Sequence, residues 1–245
     1  MASEPFSEQD LLLAIVLDDE VAATNALLRE SIDRLRRMRW LAQDEYVLTA
    51  LLAAGMERFL KLTLALYRVD VEGAPWPAAE LKSYGHRIVD LDLQCRALIR
   101  NRLGTVDYGE RLAQKVNALD EDWRLDAVLA LAHDYASGGR YFNLDYLGTA
   151  EGTRRSPRQR WQRLVDEIKT RWLDPKTVLA PEEEPRIGAP GVVSTAGGEV
   201  SRSLASSVAA WRDFYLSSWE YGVCGNRAER LGQQIAWPYP DSTAD

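Results

Sequence analysis

The chain has 245 residues, 46% of them apolar and 27% charged, with 30 basic against 37 acidic residues and a net charge of −7. That length suits one large domain or two small ones with a substantial core, and the composition is that of a soluble globular protein. Two distant histidines (His86, His133) and two cysteines (Cys95, Cys224) outside any C-x-x-C spacing leave too few close N/S ligands for a structural zinc site, so no metal or cofactor is expected and the cysteines read as reduced, mostly buried thiols.

No apolar run approaches the roughly 18 residues that span a bilayer. Leu11 to Leu17 is short and follows Glu4, Glu8 and Asp10 in place of a basic segment, so it does not read as a signal peptide. The expected setting is cytoplasmic, with no membrane partner. The basic residues are 25 Arg and 5 Lys. That bias suits phosphate recognition, but it also suits the codon usage of a GC-rich genome, and the negative overall charge favours the second explanation.

Periods of three and four dominate and two-residue alternation never persists, which predicts an all-α fold. Ser7 with Asp10 resembles a cap box before a short helix over about 8–17. A second helix, about 19–40, carries Val21, Leu28, Ile32 and Leu35 on one stripe, with Asp18, Asp19 and Glu20 at its positive end and Arg36, Arg37 and Arg39 at its negative end. The third, about 44–67, has Leu48, Leu52, Phe59, Leu62 and Leu66 on one face and Ala50, Ala53, Ala54, Leu60 and Leu64 on another; a helix apolar on two sides is expected at the centre of a bundle. Pro75 and Pro77 then break the chain around Trp76.

A fourth helix, about 78–103, spaces Leu81, Tyr84, Ile88, Leu91, Cys95 and Leu98 as a heptad-like seam, the expected interface of a homodimer. Thr105 or Asp107 caps a fifth helix ending near Leu119. Asp122 caps a sixth with Trp123, Ala127, Val128, Leu131 and Tyr135, stopped by left-handed Gly138 and Gly139. The aromatic segment 140–147 is expected to pack on the bundle. Ser156-Pro157 opens a helix to about Trp172, with Trp161, Leu164, Val165, Ile168 and Trp172 inward. Residues 175–199 lack periodicity and read as a connector. A last helix over about 200–235 carries Leu204, Val208, Trp211, Tyr215 and Trp219. The expected organisation is an antiparallel helical bundle over 1–148 and a C-terminal helical extension over 149–245, with a mobile connector at about 174–199.

Three groups of residues can carry chemistry. Glu57 and Lys61 lie four apart on one helix face and can pair. Glu57 shares that face with alanines and leucines, so its carboxylate needs a partner. If the third and fourth helices are antiparallel neighbours, either residue can approach His86, which lies off the main seam with Val89 and Leu93. The alternative to catalysis is an ion pair that fixes helix register. Arg140, Tyr141 and Asn143 offer a guanidinium, an aromatic face and an amide just past a helix end, suited to a base or a phosphate; the alternative is a packed helix stop. Arg154, Arg155, Arg158, Arg160, Arg163, Lys169 and Arg171, set against Glu151, Asp166 and Glu167, make a basic stretch that can meet nucleic-acid phosphates, joined by Arg34 to Arg39; the alternative is a solvated helix face.

Gly55-Met56-Glu57-Arg58-Phe59-Leu60-Lys61, a Pro/Trp loop, and then Lys82-Ser83-Tyr84-Gly85-His86-Arg87-Ile88-Val89-Asp90-Leu91 together resemble the E-x-x-x-K … G-H-x-[IL]-x-x-L pattern of bacterial HEPN-like proteins, the higher-eukaryote and prokaryote nucleotide-binding helical domain. The resemblance covers about residues 31–103. It implies an antiparallel bundle that dimerises through long helices, with roles in RNA cleavage, toxin–antitoxin pairs and phage defence. The family's nuclease motif is Arg, four to six residues, then His. Here Leu81, Glu80 and Ala79 precede His86 at the corresponding distances, and Arg124 lies too far ahead of His133.

The expected function is an HEPN-like accessory or defence component associated with RNA or a nucleotide and with a cognate protein partner. If it is active, it is a metal-independent ribonuclease, with His86 as acid or base, Glu57 orienting it, and Lys61, Arg140, Tyr141, Asn143, Arg158 and Arg160 binding. The alternative is a catalytically silent homodimeric scaffold. There is no P-loop, dinucleotide-binding or nucleophile-elbow motif, and neither His sits three after a Glu as a di-iron bundle requires.

Overall fold

A computed structural model describes residues 8–38, 41–74, 76–149, 155–172 and 195–235. The fold is all-α, with no strand among the described residues. In chain order the helices are α1 (Glu8–Arg37), α2 (Leu41–Asp70), α3 (Ala78–Ser83), α4 (Ile88–Arg100), α5 (Gly109–Asp120), α6 (Trp123–Ser137), α7 (Phe142–Thr149), α8 (Pro157–Trp172), α9 (Thr195–Glu220) and α10 (Asn226–Ile235), with single 3-10 turns at Leu103–Thr105 and Gly139–Tyr141. No helix among the described residues is long and apolar enough to cross a membrane.

α1 and α2 form an antiparallel hairpin. Arg34 meets Asp44, Leu28 crowds Gly55, and Glu20 pairs with Arg58, so one number rises as the other falls. α2 is the central helix. From Phe59 to Tyr67 every residue except Lys61 is buried, as expected of a helix with neighbours on several sides. α1, α4, α6, α8 and α10 all pack on it.

The core crosses the expected 148/149 boundary. Trp161, Leu164, Val165 and Ile168 of α8, and Val200, Leu204, Val208, Trp211, Tyr215 and Trp219 of α9, belong to the same apolar cluster as α1, α2, α4, α5 and α6. Phe59 of α2 sits among three α9 rings, with centroids 5.8 Å from Trp211, 5.9 Å from Tyr215 and 5.0 Å from Trp219. Among the described residues three fully buried indoles each donate their N–H: Trp161 to Thr49 Oγ1, Trp219 to Thr63 Oγ1 and Trp211 to Asp92 Oδ1. A buried indole N–H left unbonded is costly, so these bonds fix the two helices against α2 and α4.

Several local expectations are corrected. The first two predicted helices are one, α1, because nothing between Leu17 and Val21 forces a break and exposed Asp18 and Asp19 are tolerated within a helix. The predicted fourth helix is two, α3 and α4, because Gly85 at φ 54° turns the chain. Its seam is not free for a dimer, since Ile88, Leu91 and Cys95 are buried in the chain's own core. α5 starts at Gly109 with no side-chain cap. Asp122 does cap α6, accepting from Arg124 N–H, but Gly138 has φ 175° and is extended, not left-handed.

Segment 140–147 does not pack inward throughout. Tyr141 is 58% and Leu147 81% exposed, and only Phe142 is half-buried among the side chains described there. Ser156 opens α8 through a reciprocal cap: Gln159 N–H donates to Ser156 Oγ, and Ser156 N–H to Gln159 Oε1. The last predicted helix is broken between α9 and α10, where Gly222 (φ 70°) and Gly225 (φ 97°) adopt left-handed conformations. Most of the expected connector, together with Arg154 and Glu151, lies outside the described residues; the part from Thr195 onward is helix.

Candidate functional site

The site is built where α2 passes the turn between α3 and α4. Glu57 and Lys61 lie one helical turn apart on a half-buried side of α2, and Lys61 Nζ donates to Glu57 Oε1 at 2.7 Å. Gly85 takes a left-handed conformation, which sends its carbonyl back to the same ammonium at 2.7 Å. The next residue, His86, then brings Nδ1 to 2.9 Å from Glu57 Oε2. Glu57 is 14% exposed and His86 51%. His86 therefore stands in a turn at the surface, not on a helix face as the sequence suggested.

A carboxylate can only accept, so Nδ1 carries the proton of this bond and Nε2 is left as the acceptor of the neutral ring. Nε2 has no partner among the described residues. The adjacent Arg87 is committed locally: it donates to the Tyr84 and Ser83 carbonyls, pairs with Asp90 and lies over the Tyr84 ring.

The C-terminal turn of α6 joins this group to a cleft. Ser137 Oγ approaches the His86 carbonyl at 3.5 Å, and His133 Nδ1 accepts from Val89 N–H at 3.4 Å. Beyond them a cleft of about 360 Å³ is lined by His133, Asp134, Ser137, Phe142, Arg155 and Arg160. Arg160 crosses from α8 to pair with Asp134 and donates through Nε to the Arg155 carbonyl.

The other expected binding residues are placed as follows. Arg140 and Tyr141 are exposed on the 3-10 turn that begins at the cleft's Gly139, and Arg140 has no ion pair or hydrogen bond among the described residues. Asn143, in the first turn of α7, donates to Tyr46 Oη at 3.1 Å. Arg158 is 3.7 Å from Glu45, a carboxyl pushed up by burial and held down in part by that guanidinium. Arg171 of the basic stretch pairs with Glu167 and covers Trp123 at 4.5 Å. Glu57, Lys61 and His86 thus meet, whereas no contact links Arg140, Tyr141, Asn143, Arg158 or Arg160 to His86 among the described residues.

Burial holds both thiols protonated, Cys95 well above the usual range and Cys224 pushed up to about 12, so neither suits nucleophilic work. No group of three His, Cys, Asp or Glu is placed to hold a metal among the described residues.

The sequence reading missed a buried polar network. Asp92 accepts from Trp211 Nε1 at 2.6 Å and Tyr215 Oη at 2.8 Å, and Arg96 lies 2.7 Å from its other oxygen. Arg96 also bonds Asp120, which takes Arg100 from outside. Asp92 and Arg96 are four apart beside the buried Leu91 and Cys95. On a helix buried on two sides, that spacing was the available signal. The network is closed to solvent at Asp92, so its role is to join α4 to α9. The Asp134–Arg160 pair carried no such signal, because its members come from helices distant in sequence.

Fold and site together define an all-α bundle with a surface carboxylate–histidine pair beside a mixed polar cleft. The chain matches no family model, no curated protein and no solved structure.

Proposed function

We propose that the chain is an HEPN-like accessory or defence protein of the cytoplasm that acts on RNA or a nucleotide, as a metal-independent ribonuclease. One observation carries this reading: a half-exposed imidazole bonded through Nδ1 to a carboxylate that a lysine holds in place. A ring oriented in this way with Nε2 open is a competent base. It takes the proton of a ribose 2′-hydroxyl as that oxygen attacks the adjacent phosphorus, and the 5′-oxygen leaves with a proton from water. Charge developing on the phosphoryl oxygens requires cations. Arg140 and Arg155, both exposed, are assigned that role, with Tyr141 as a stacking surface. Titration of a labelled single-stranded RNA tests the assignment. Arg140→Glu plus Arg155→Glu weakens binding and flattens its salt dependence; unchanged binding contradicts it.

For the second reading, a homodimeric scaffold, a different observation favours its catalytic silence. Lys61, Arg158 and Arg160 all have carboxylate partners within the chain, at Glu57, Glu45 and Asp134. Such pairs fix helix packing without any ligand.

A further inference from the structure

α1 is apolar on two opposite sides over much of its length. Its inner side, with Leu17, Val21, Leu28 and Ile32, enters the core. Its outer side carries Leu11, Leu12, Ile15 and Val16, each 50–62% exposed, and continues through exposed Ala22, Ala23 and Ala26. At 100° per residue these seven positions fall on one stripe, interrupted by Asp19. Soluble chains rarely expose contiguous apolar surface beyond a few hundred Å², and a helix apolar on both sides is normally covered on both.

Charge identifies what covers it. Residues 1–28 contain Glu4, Glu8, Asp10, Asp18, Asp19 and Glu20 and no Lys or Arg. Asp18 and Asp19 are exposed and have no ion pair among the described residues; Glu20 pairs with Arg58. A second copy is a poor occupant. Antiparallel pairing of two such stripes about their midpoint brings Asp18 and Asp19 against the other copy's Asp18 and Asp19, and parallel pairing also sets like on like. An anionic bilayer is repelled for the same reason. A helix with apolar residues at i, i+3, i+4 and i+7 flanked by Lys or Arg satisfies both the stripe and its charge. The small side of the stripe, Ala22, Ala23 and Ala26, lets such a helix approach closely. Among the described residues the chain's own cations near α1 lie along the edge of the stripe: Arg58 pairs with Glu20, Arg227 is engaged by Asp70, and Arg230 lines a cleft with Asp18.

We propose that the outer stripe of α1 is a docking surface for a basic amphipathic helix of a partner protein. This is independent of the His86 site.

The test uses two synthetic peptides of helical period, one of Leu and Lys and one of Leu and Glu in the same pattern, titrated against the full chain by fluorescence anisotropy. The Leu/Lys peptide binds and the Leu/Glu peptide does not. Leu12→Gln plus Ile15→Gln, both exposed and helix-compatible, weakens binding by about tenfold or more with helical content unchanged. Asp18→Asn plus Asp19→Asn weakens it and reduces its salt dependence. Failure of the Leu/Lys peptide to bind overturns the proposal, as does equal binding to the glutamine variant or equal binding of both peptides. Sedimentation showing a dimer that the glutamine changes dissolve overturns it in favour of a second copy. Flotation of the wild type with anionic vesicles, lost in the same variant, overturns it in favour of a bilayer.

Discussion

Glu57 Oε2 lies 2.9 Å from His86 Nδ1, joining the middle of α2 to a turn 29 residues further along the chain. The bond is one of three that converge there, since Lys61 holds both the other carboxylate oxygen and the Gly85 carbonyl. Lys61→Met keeps the apolar stem and removes both ammonium bonds. It is expected to lower stability by about 1.5–3 kcal/mol in urea unfolding, the range for hydrogen bonds to charged groups. Faster hydrogen exchange in the turn after α3 accompanies that loss. Unchanged exchange there contradicts the assignment of Lys61 as the turn's anchor.

Gly225 and Gly222 separate two costs of a left-handed glycine. A Cβ on Gly225 clashes with Asp70 Cβ, and Asp70 accepts from Arg227 N–H at the start of α10. A Cβ on Gly222 meets only Glu229 Oε2, at 3.5 Å. Gly222→Ala is expected to cost about 1–2 kcal/mol, the conformational term alone. Gly225→Ala costs more, because Asp70 must move and the α10 cap is lost. Equal unfolding midpoints for the two variants contradict this.

Phe59 ties α9 to the central helix. Phe59→Ala removes a ring packed against Trp211, Tyr215 and Trp219 and is expected to cost about 3–5 kcal/mol. Because one core contains α2 and α9, thermal unfolding followed by tryptophan fluorescence and by helical signal moves together. Separate transitions for the two probes contradict a shared core.

Asp92 gives a pH dependence of known sign. Burial pushes its carboxyl up, opposed by Arg96 and by the Trp211 and Tyr215 donors. A folded value above that of an unfolded aspartate, about 4, means the folded state holds more protons between the two. The contribution is full below the unfolded value and is lost as pH rises through the folded one. Asp92→Asn cannot titrate, so its urea midpoint relative to the wild type improves as pH rises through that window. A relative midpoint that worsens instead means that the Arg96 attraction outweighs burial, and the account of this network is wrong.

Much of the bundle was legible because its period is strong. The two-faced α2 pattern, the Asp122 cap, the Ser156-Pro157 start and the Leu204-to-Trp219 stripe all depend on local chemistry. The approach of Glu57 to His86 followed from an i, i+4 pair on a half-apolar face needing a further partner. The breaks at Gly85 and at Gly222 to Gly225 were not legible, because a glycine tolerates a helix and only the packed neighbours select the left-handed turn. Segment 140–147 was misjudged because aromatic content signals burial, while Tyr141 is left in water. The cleft was missed because Asp134 and Arg160 meet only once α6 and α8 pack.

Cleavage of an end-labelled single-stranded RNA in excess EDTA, compared between the wild type and His86→Ala with matched helical content, bears most directly on the proposed role of His86. The account predicts cleavage by the wild type and a rate lower by at least about 100-fold in the variant, the low end for removing a positioned base. Equal rates in the two proteins, or no cleavage by the wild type, would contradict it.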